Sequence, residues 1–431
     1  EGEPTQNTCV VDPYASDDLV EVMVVLDDAP VAETAGIQLG GLDANALRAS
    51  QKLLSSHSKT LAAIQREVQS FDVTHDYTLL LNGFAGQMRY GDLQALQKVR
   101  GVKYAFVAPV FQAPPEEFAV LSLDDRMTAQ GVENGAVAPA MENANADMNT
   151  GAAWLKGYAG EGMTVAVIDS GVDLDHVMFS LQPERTALDA ESVAAIMEKT
   201  PLHAQQLLPG VTAEQLFTSS KIPFGFDYAD ADADPDDAMG HGSHVAGIAN
   251  ANRYIPDGEG SYVEAAASVH VVGNAPDSQI LVMKVFGMSG GAFDSDYFAA
   301  LEDAIVLGCD SVNLSLGSNY AGLVRSEVYQ KLLDALEKTN TVMVVANGNN
   351  NHWAEYSGPQ NLYAEDVNLS TAGSPATYAN TLAVASADND GLIGSYLELA
   401  NTQMFYAETL SWQDPMRSLD TTGNGTEYEY V

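Results

Sequence analysis

The chain has 431 residues and a formal net charge of −40, from 59 acidic and 19 basic residues. This charge excludes nucleic-acid binding, which needs a basic surface, and suits a secreted protein whose copies repel one another. The length predicts two or three domains, and no apolar run is long enough for a membrane span. Because the chain opens Glu1-Gly2-Glu3-Pro4, we expect that a signal peptide has been removed or that the sequence begins within a gene.

The first predicted domain covers residues 19–112, after a polar segment 1–18 that we expect to be disordered. Its predicted elements are a strand over 21–26, a helix over 46–71, a hairpin over 77–88 that turns at Asn82-Gly83, a helix over 93–99 and a strand over 102–107. The long helix has apolar residues near helical spacing at Leu47, Leu54, Leu61, Ile64 and Val68. This β-α-β-β-α-β order is typical of a small ferredoxin-like α+β domain.

Residues 113–150 have no lasting hydrophobic period and contain Pro114-Pro115 together with repeated Ala and Asn. Such a composition predicts a linker or processing region between two domains. An ordered strap that lies on the following domain is the alternative.

The remainder, residues 151–431, alternates short apolar strands with helices, which predicts a doubly wound α/β domain with a parallel sheet. Buried strands are predicted over 163–168, 279–285, 310–314, 341–346 and 382–386. Helices are predicted over 241–251, 294–307 and 324–338. Residues 178–222 are predicted to be an insertion, with a helix over 190–199.

Two segments place an acid and a base where α/β proteins carry their chemistry. Asp169 follows the predicted strand 163–168, and ligands of such sheets bind at the carboxyl ends of the strands. His241 lies between Gly240 and Gly242 at the start of a predicted helix, so its backbone can be approached closely. A carboxylate that accepts a hydrogen bond from a histidine fixes its tautomer and makes it a general base.

His244 lies one helical turn after His241, and two histidines at this spacing could bind a metal. Neither a carboxylate nor a third histidine stands at a useful distance in the sequence, so we assign no metal site. We interpret His244 as a packed structural residue. The two cysteines, Cys9 and Cys309, have neither metal-ligand spacing nor a disulfide framework, and Cys309 is expected to be a small buried residue.

Two further strand ends carry polar or small residues. Asn349 follows the predicted strand 341–346, where its amide could donate to an oxyanion, although a simple turn former is the alternative. The backbone of Ser315, Leu316 and Gly317, after the strand 310–314, could pair with an extended peptide.

The chain resembles the subtilases, which are subtilisin-like serine proteases. The motifs that carry this resemblance stand in family order: Val-Ile-Asp-Ser-Gly-Val-Asp at 167–173, His-Gly-Ser-His-Val-Ala-Gly at 241–247, Asn-Leu-Ser-Leu-Gly at 313–317 and Ala-Asn-Gly-Asn at 346–349. The resemblance implies that Asp169 orients His241, that His241 is the general base and acid, and that Asn349 lines the oxyanion hole. It also implies that the Ser315 to Gly317 backbone binds a peptide substrate, without a cofactor.

The N-terminal domain resembles the inhibitor propeptide of subtilases, notably at Leu81-Asn82-Gly83-Phe84-Ala85-Gly86. The resemblance implies that this domain is an intramolecular partner that assists folding and blocks the cleft. It also implies a secreted or cell-surface serine endopeptidase that hydrolyses proteins through an acyl-enzyme.

No serine after Asn349 has the Gly-Thr-Ser-Met-Ala-like context of the subtilase nucleophile. We therefore expect an incomplete catalytic domain that is inactive by itself. Lactocepin-type cell-envelope proteinases carry a protease-associated domain before their serine, and residues 400–431 are expected to begin such an insert. The alternatives are a non-catalytic peptide-binding pseudoprotease and a nucleotide-binding protein, although the glycine-rich phosphate loop of the latter is absent from the sequence.

An acidic stretch leads up to His241, with carboxylates at Asp227, Asp230, Asp232, Asp234, Asp236 and Asp237. Calcium takes such oxygen ligands, and many subtilases use calcium for stability. No distal glutamate completes an EF-type loop, so a solvated loop at the cleft rim is the alternative. In either case the negative charge is expected to raise the pKa of His241 and to favour basic substrates.

Overall fold

An antiparallel sheet of four strands and a parallel sheet of six strands organise the chain. The computed structural model describes residues 13–35, 42–112, 142–265, 271–287, 290–317, 327–349, 372–387, 396–399 and 402–405. None of the helices in these ranges is long and apolar enough to cross a membrane.

The antiparallel sheet lies in the N-terminal domain. Its elements in chain order are β1 (Leu19–Leu26), α1 (Val31–Ala35), α2 (Ala44–Glu67), β2 (Asp72–Tyr77), β3 (Gly83–Arg89), α3 (Leu93–Leu96) and β4 (Val102–Val107). A 3-10 turn over Tyr90–Asp92 precedes α3. The strand order β2-β3-β1-β4, with antiparallel neighbours throughout, confirms the predicted ferredoxin-like arrangement. The short helix α1 was not predicted.

Helix α2 begins where Asp43 accepts hydrogen bonds from the backbone N–H groups of Asn45 and Ala46. Its buried face carries Leu53 and Ile64, which pack against the sheet, whereas Leu54 is exposed. Leu54, one of the apolar residues near helical spacing, thus lies one position, or about 100° around the helix, from the buried Leu53.

Strands β2 and β3 form an antiparallel pair, as a hairpin predicts, but the predicted bounds of the first strand and the turn at Asn82-Gly83 were wrong. Residues 78–82 form the connection, and Gly83 is the first residue of β3, paired with Tyr77 and Val25. A Cβ atom at Gly83 would lie 1.8 Å from the carbonyl oxygen of Val24, so this glycine serves close strand packing and not a tight turn. The apolar residues Leu79–Leu81 lie in the connection and are buried.

The second part of the chain contains the remaining elements. They are β5 (Val110–Gln112), α4 (Glu142–Asp147), α5 (Thr150–Trp154), β6 (Thr164–Asp169), α6 (Ala190–Lys199), α7 (His203–Leu207), α8 (Ala213–Leu216), β7 (Phe224–Asp227), α9 (His241–Asn250), β8 (Tyr254–Pro256), β9 (Tyr262–Glu264), β10 (Gln279–Lys284), β11 (Gly291–Phe293), α10 (Asp294–Val306), β12 (Ser311–Leu314), α11 (Glu327–Asp334), β13 (Val342–Ala346), β14 (Leu382–Val384), β15 (Tyr396–Leu399) and β16 (Thr402–Phe405). Two 3-10 turns cover Val177–Phe179 and Ala335–Lys338.

The parallel sheet has the order β14-β13-β12-β6-β10-β7. Its five predicted strands are confirmed, and β6 lies near the centre, between β12 and β10. The edge strand β7 was missed because its four residues, Phe-Gly-Phe-Asp, are too few to show a period. Helices cross between the strands, which confirms the α/β class.

Some predicted segments lie wholly or partly outside the described residues. These are 1–12 of the terminal segment predicted to be disordered, 113–141 of the predicted linker, 324–326 of the predicted helix 324–338, and 400–401 and 406–431 of the expected protease-associated insert. The last part of the predicted linker, by contrast, forms α4 and begins α5. Thr150 donates its hydroxyl to Asn274 Oδ1 at 2.8 Å, so this part is held on the α/β domain.

The N-terminal domain packs against the α/β domain through helix α10. The Tyr77 hydroxyl donates to the carbonyl oxygen of Ser295 at 2.7 Å. Strand β5 pairs with β11 in an antiparallel register. Buried residues of both domains, among them Leu80 and Phe298, belong to one hydrophobic cluster. Burying these residues together stabilises the contact between the domains.

Candidate active site

Asp169 is the last residue of β6, at the carboxyl edge of the parallel sheet. Its side chain is fully buried, and Oδ1 accepts the backbone N–H of Ser170 at 2.7 Å. Because β6 is flanked by β10 and β12, the carboxylate stands where the ends of the central strands meet. The sequence prediction of its position is confirmed.

His241 is the first residue of helix α9, directly after Gly240, whose φ of 85° is left-handed. The helix start approaches the turn after β6 very closely at Gly242. A Cβ atom on Gly242 would lie 2.1 Å from the carbonyl oxygen of Gly171 and 3.2 Å from Cβ of Asp169. A residue without a side chain is therefore required here to bring the histidine to the aspartate.

The two predicted residues are joined by a hydrogen bond. Nδ1 of His241 lies 2.7 Å from Oδ1 of Asp169, and the histidine side chain keeps 19% of its surface exposed while the aspartate is buried. The carboxylate accepts the Nδ1 proton, so Nε2 is the ring atom that can take a proton from a nucleophile. This is the geometry of a histidine general base with an orienting carboxylate.

The pKa of His241 is raised above its ordinary value. Burial by itself would lower the pKa, but the hydrogen bond and charge of Asp169 outweigh it, and the charge of Asp237 adds to the rise. The direction agrees with the sequence expectation for the acidic stretch. Of that stretch, only Asp237 is a cause of the shift.

Asp237 joins the segments around the histidine, a role that the sequence reasoning missed. Its Oδ1 accepts the backbone N–H groups of Met239 and Gly240, both at 2.9 Å. Its Oδ2 accepts the backbone N–H and the hydroxyl of Ser243, at 2.9 and 2.7 Å. Ser170 also donates its hydroxyl to Oδ1. The available signal was the position of an aspartate four residues before a helix-starting histidine.

The other acidic residues accept hydrogen bonds or form an ion pair. Asp227 accepts the N–H groups of Ala229 and Asp230 and lies 2.8 Å from the Lys284 ammonium. Asp232 accepts the N–H of Asp234 at 2.9 Å. Within the described ranges, no group of three or more His, Cys, Asp or Glu residues is arranged to hold a metal ion. Calcium binding stays a prediction.

Asn349 and the Ser315 to Gly317 backbone follow β13 and β12, at the same edge of the sheet as Asp169. Asn349 is exposed, and Leu316 is buried. A Cβ atom on Gly317 would lie 2.9 Å from the carbonyl oxygen of Ser374. Their oxyanion and peptide-binding roles stay predictions.

Two predictions about other residues have opposite outcomes. His244 is exposed on α9, so its interpretation as a packed residue was wrong. Cys309 is fully buried, as expected, and burial raises its pKa to about 12, so the thiol is inert at neutral pH.

The sequence profile of the family described as "Subtilase family" matches residues 160–425, more than half of the chain. The chain belongs to the subtilase family. The match contains both Asp169 and His241, and it accounts for the doubly wound sheet that positions them.

Several curated proteinases are similar to this subtilase. It is 28% identical over 390 residues to the PI-type proteinase of Lactococcus lactis subsp. cremoris. That alignment covers 87% of this chain and 18% of the proteinase. It is 24% identical over 374 residues to the minor extracellular protease Vpr of Bacillus subtilis, covering 85% of the chain and 36% of Vpr. A C5a peptidase of Streptococcus pyogenes is 29% identical over 240 residues, covering 54% of the chain and 19% of the peptidase.

The chain thus spans about a fifth of the length of the lactococcal proteinase. Among solved structures, fervidolysin from Fervidobacterium pennivorans, a keratinolytic enzyme related to subtilisin, aligns with a TM-score of 0.43 and 16% identity. That alignment covers 90% of this chain and 45% of fervidolysin.

Proposed function

We propose that this chain is the front part of a serine endopeptidase, which hydrolyses peptide bonds of proteins through an acyl-enzyme. The observation that carries the proposal is the 2.7 Å hydrogen bond between buried Asp169 and partly exposed His241 at the carboxyl edge of the sheet. Membership of the subtilase family and similarity to curated proteinases support it.

In this proposal His241 Nε2 removes the proton from a serine hydroxyl as the oxygen attacks the scissile carbonyl. It then returns that proton to the leaving amine. Asp169 stabilises the imidazolium that forms between these steps. Asn349 donates its amide to the oxyanion, and the Ser315 to Gly317 backbone pairs with the extended substrate.

The nucleophile in this proposal is a serine outside residues 1–431, because no serine after Asn349 has the family context. The chain would then bind peptides without cleaving them. A peptide-binding pseudoprotease is the second candidate, and it becomes the function if no nucleophile exists in the gene product.

The proposal includes the N-terminal domain as a removable inhibitory propeptide. Helix α10 supports this role, because two of its buried acidic residues face that domain: Glu302 accepts the N–H groups of Leu80 and Leu81, and Asp296 lies 3.7 Å from Nε2 of His75. Carboxylates are costly in a permanent core but favourable on a surface that later meets water. We further propose a secreted or cell-surface location, as the word "extracellular" in the name of Vpr suggests.

The experiment is to express the gene product, including any coding sequence after residue 431, and to react it with a fluorophosphonate probe. Labelling of one serine, abolished by His241→Gln, is the expected result. With the labelled protein, Asp169→Asn should lower kcat by about 10⁴-fold, the scale known for the orienting aspartate of a triad. Peptide binding without labelling would establish the pseudoprotease instead.

The substrate preference has its own test. The charge of Asp237 and its acidic neighbours should attract Lys- and Arg-rich peptides. Cleavage of Lys/Arg-rich and Asp/Glu-rich peptides is compared at low and high salt, since salt screens such attraction. Equal cleavage rates for the two kinds of peptide at low salt would show that the acidic residues do not determine the substrate preference.

A further inference from the structure

The insertion of residues 178–222, which has no role in the proposed chemistry, lies against the N-terminal domain. The N-terminus of its helix α6 is capped by a capping box, in which Asp189 and Ser192 exchange side-chain to backbone hydrogen bonds. Apolar residues of the insertion, such as Leu202 and Val193, share one buried cluster with Tyr77 and Leu80 of the N-terminal domain. The insertion is therefore a third element of the contact between the domains.

His203, the first residue of α7, is the polar centre of this contact. Its Nε2 atom lies 3.0 Å from Oε2 of Glu302 on helix α10. The backbone N–H groups of His203 and Ala204 donate to the two carboxylate oxygens of Asp303, at 2.7 and 3.0 Å. The histidine ring faces that of Tyr77 on β2, with 4.9 Å between the ring centroids. The insertion thereby fixes His203 between the two domains.

Glu302 uses its other oxygen to hold the N-terminal domain. Oε1 accepts the backbone N–H of Leu80 at 2.7 Å and that of Leu81 at 3.1 Å. These residues belong to the connection between β2 and β3. A single carboxylate therefore joins the insertion, helix α10 and the N-terminal domain.

The charges explain why the insertion matters for this contact. Glu302 is 4% exposed and lies beside Asp303 on a helix that also buries Asp294 and Asp296. Of the described part of the chain, His203 is the basic residue within 4.0 Å of Glu302. An ionised carboxylate accepts stronger hydrogen bonds from N–H groups than a neutral one, and a buried one needs a cationic partner. The pKa of His203 is raised because Glu302 and Asp303 outweigh the effect of burial.

We propose that the insertion is a docking element for the N-terminal domain, in which His203 is the positioning residue that keeps the Glu302 carboxylate on the Leu80 and Leu81 N–H groups. The docking surface is composite: α10 supplies the acceptor, and the insertion supplies the charge and the orientation. The inference concerns domain docking and does not require a functioning nucleophile.

The test is hydrogen–deuterium exchange of the full chain, read at peptides that contain Leu80 and Leu81. His203→Leu should speed their exchange by about tenfold or more, the scale of a hydrogen bond to a charged group. The amides of β1, which pair inside the N-terminal sheet, should keep their protection and so distinguish undocking from unfolding. The matched control is Gln206→Leu, on the same helix but with an exposed side chain.

A second variant separates charge from packing. His203→Gln keeps an N–H donor but does not titrate. In the parent chain, protection of Leu80 and Leu81 should fall as pH rises through the raised pKa of His203, and in His203→Gln it should stay constant. The titratable groups that face His203 are Glu302 and Asp303 on α10, and His75, Asp76 and Tyr77 on β2.

Two results would overturn the proposal. One is unchanged exchange at Leu80 and Leu81 in His203→Leu, with faster exchange confined to residues 190–216, which would make His203 a structural residue of the insertion. The other is identical pH dependence in His203→Gln and the parent chain. Neither result depends on peptidase activity, so failure of the proposed enzyme function would be seen separately.

Discussion

Ser170 and Asp237 are joined by a hydrogen bond of 3.0 Å from the serine hydroxyl to the Oδ1 atom of the carboxylate. The same hydroxyl accepts the backbone N–H of Gly242 at 2.9 Å. Ser170, the residue after Asp169, is thus hydrogen-bonded both to the loop before His241 and to the helix that begins at His241. The hydrogen bonds of Ser170 and Asp237 form a frame around Asp169 and His241. This frame holds the two residues in place in addition to their own hydrogen bond.

The frame predicts that Asp237 contributes strongly to stability. Asp237→Ala leaves the N–H groups of Met239, Gly240 and Ser243 without their acceptor, and should lower the free energy of unfolding by about 2–4 kcal/mol. Urea unfolding measures the change. Asp234→Ala is the control, because Asp234 is exposed and accepts one hydrogen bond of 3.2 Å; it should change stability by less than about 0.5 kcal/mol. Equal losses in the two variants would contradict the frame.

Two glycines of helix α9 should respond in opposite ways to alanine. In Gly242→Ala the new methyl group meets the Gly171 carbonyl oxygen at 2.1 Å, so the helix must move and stability should fall by about 2 kcal/mol or more. In Gly247→Ala the methyl group meets no atom within 4 Å, and the higher helix propensity should raise stability by about 0.5–1 kcal/mol. Thermal unfolding measures both. A stable Gly242→Ala variant with its Asp169–His241 bond intact would show that the close approach is not required.

Asp169 should set the protonation of His241. Asp169→Asn removes the negative charge and replaces the acceptor, so the pKa of His241 should fall. The pKa is measured by NMR titration of the imidazole carbon-bound protons in this chain, without need of a nucleophile. Asp236→Asn is the control, since Asp236 is not among the causes of the shift. In an active gene product, the acidic limb of the kcat/KM profile should move to lower pH in Asp169→Asn. An unchanged His241 pKa in that variant would contradict the assigned pair.

The stability of the N-terminal domain should fall at alkaline pH because of His57. Its Nδ1 and Nε2 atoms each lie 2.6 Å from an acceptor, on Asp76 and Asn82, and the Asn82 amide is oriented by donating to the Asp28 carbonyl. Both ring nitrogens therefore carry protons. Burial would lower the pKa of His57, but Asp76 outweighs it and the pKa is raised.

Because the pKa of His57 is higher in the folded domain than its unfolded value of 6.5, protonated His57 contributes its full stabilisation below pH 6.5. This stabilisation is lost as the pH rises through the pKa of His57 in the folded domain. Urea unfolding of the parent chain and of His57→Gln, from about pH 6 to about pH 9, should therefore show a difference that shrinks with rising pH. Taking the difference removes the contributions of the other histidines. A difference that stays constant would mean that His57 is neutral in the folded domain.

The sequence was a good guide wherever one short segment carried the whole signal. Strand β6 is an apolar run that was predicted within a residue of its bounds, and the helix predicted over 190–199 matches α6. The sequence led to a wrong prediction where a contact with a residue distant in the sequence overrode the local turn composition. Asn82-Gly83 has the composition of a turn, but the approach of Val24 places Gly83 inside a strand.

By itself, the sequence determined the α/β class, the resemblance to the subtilase family, and the positions of Asp169 at a strand end and His241 at a helix start. These depend on periodicity and on motifs that each occupy fewer than ten consecutive residues. Only the tertiary structure decided that Asp237 organises the histidine loop, that His244 faces solvent, and that the insertion touches the N-terminal domain. The physical reason is that hydrogen bonds such as those of Ser170 with Asp237 and of Glu302 with Leu80 join residues 67 and 222 positions apart, and no local pattern encodes a contact at that separation.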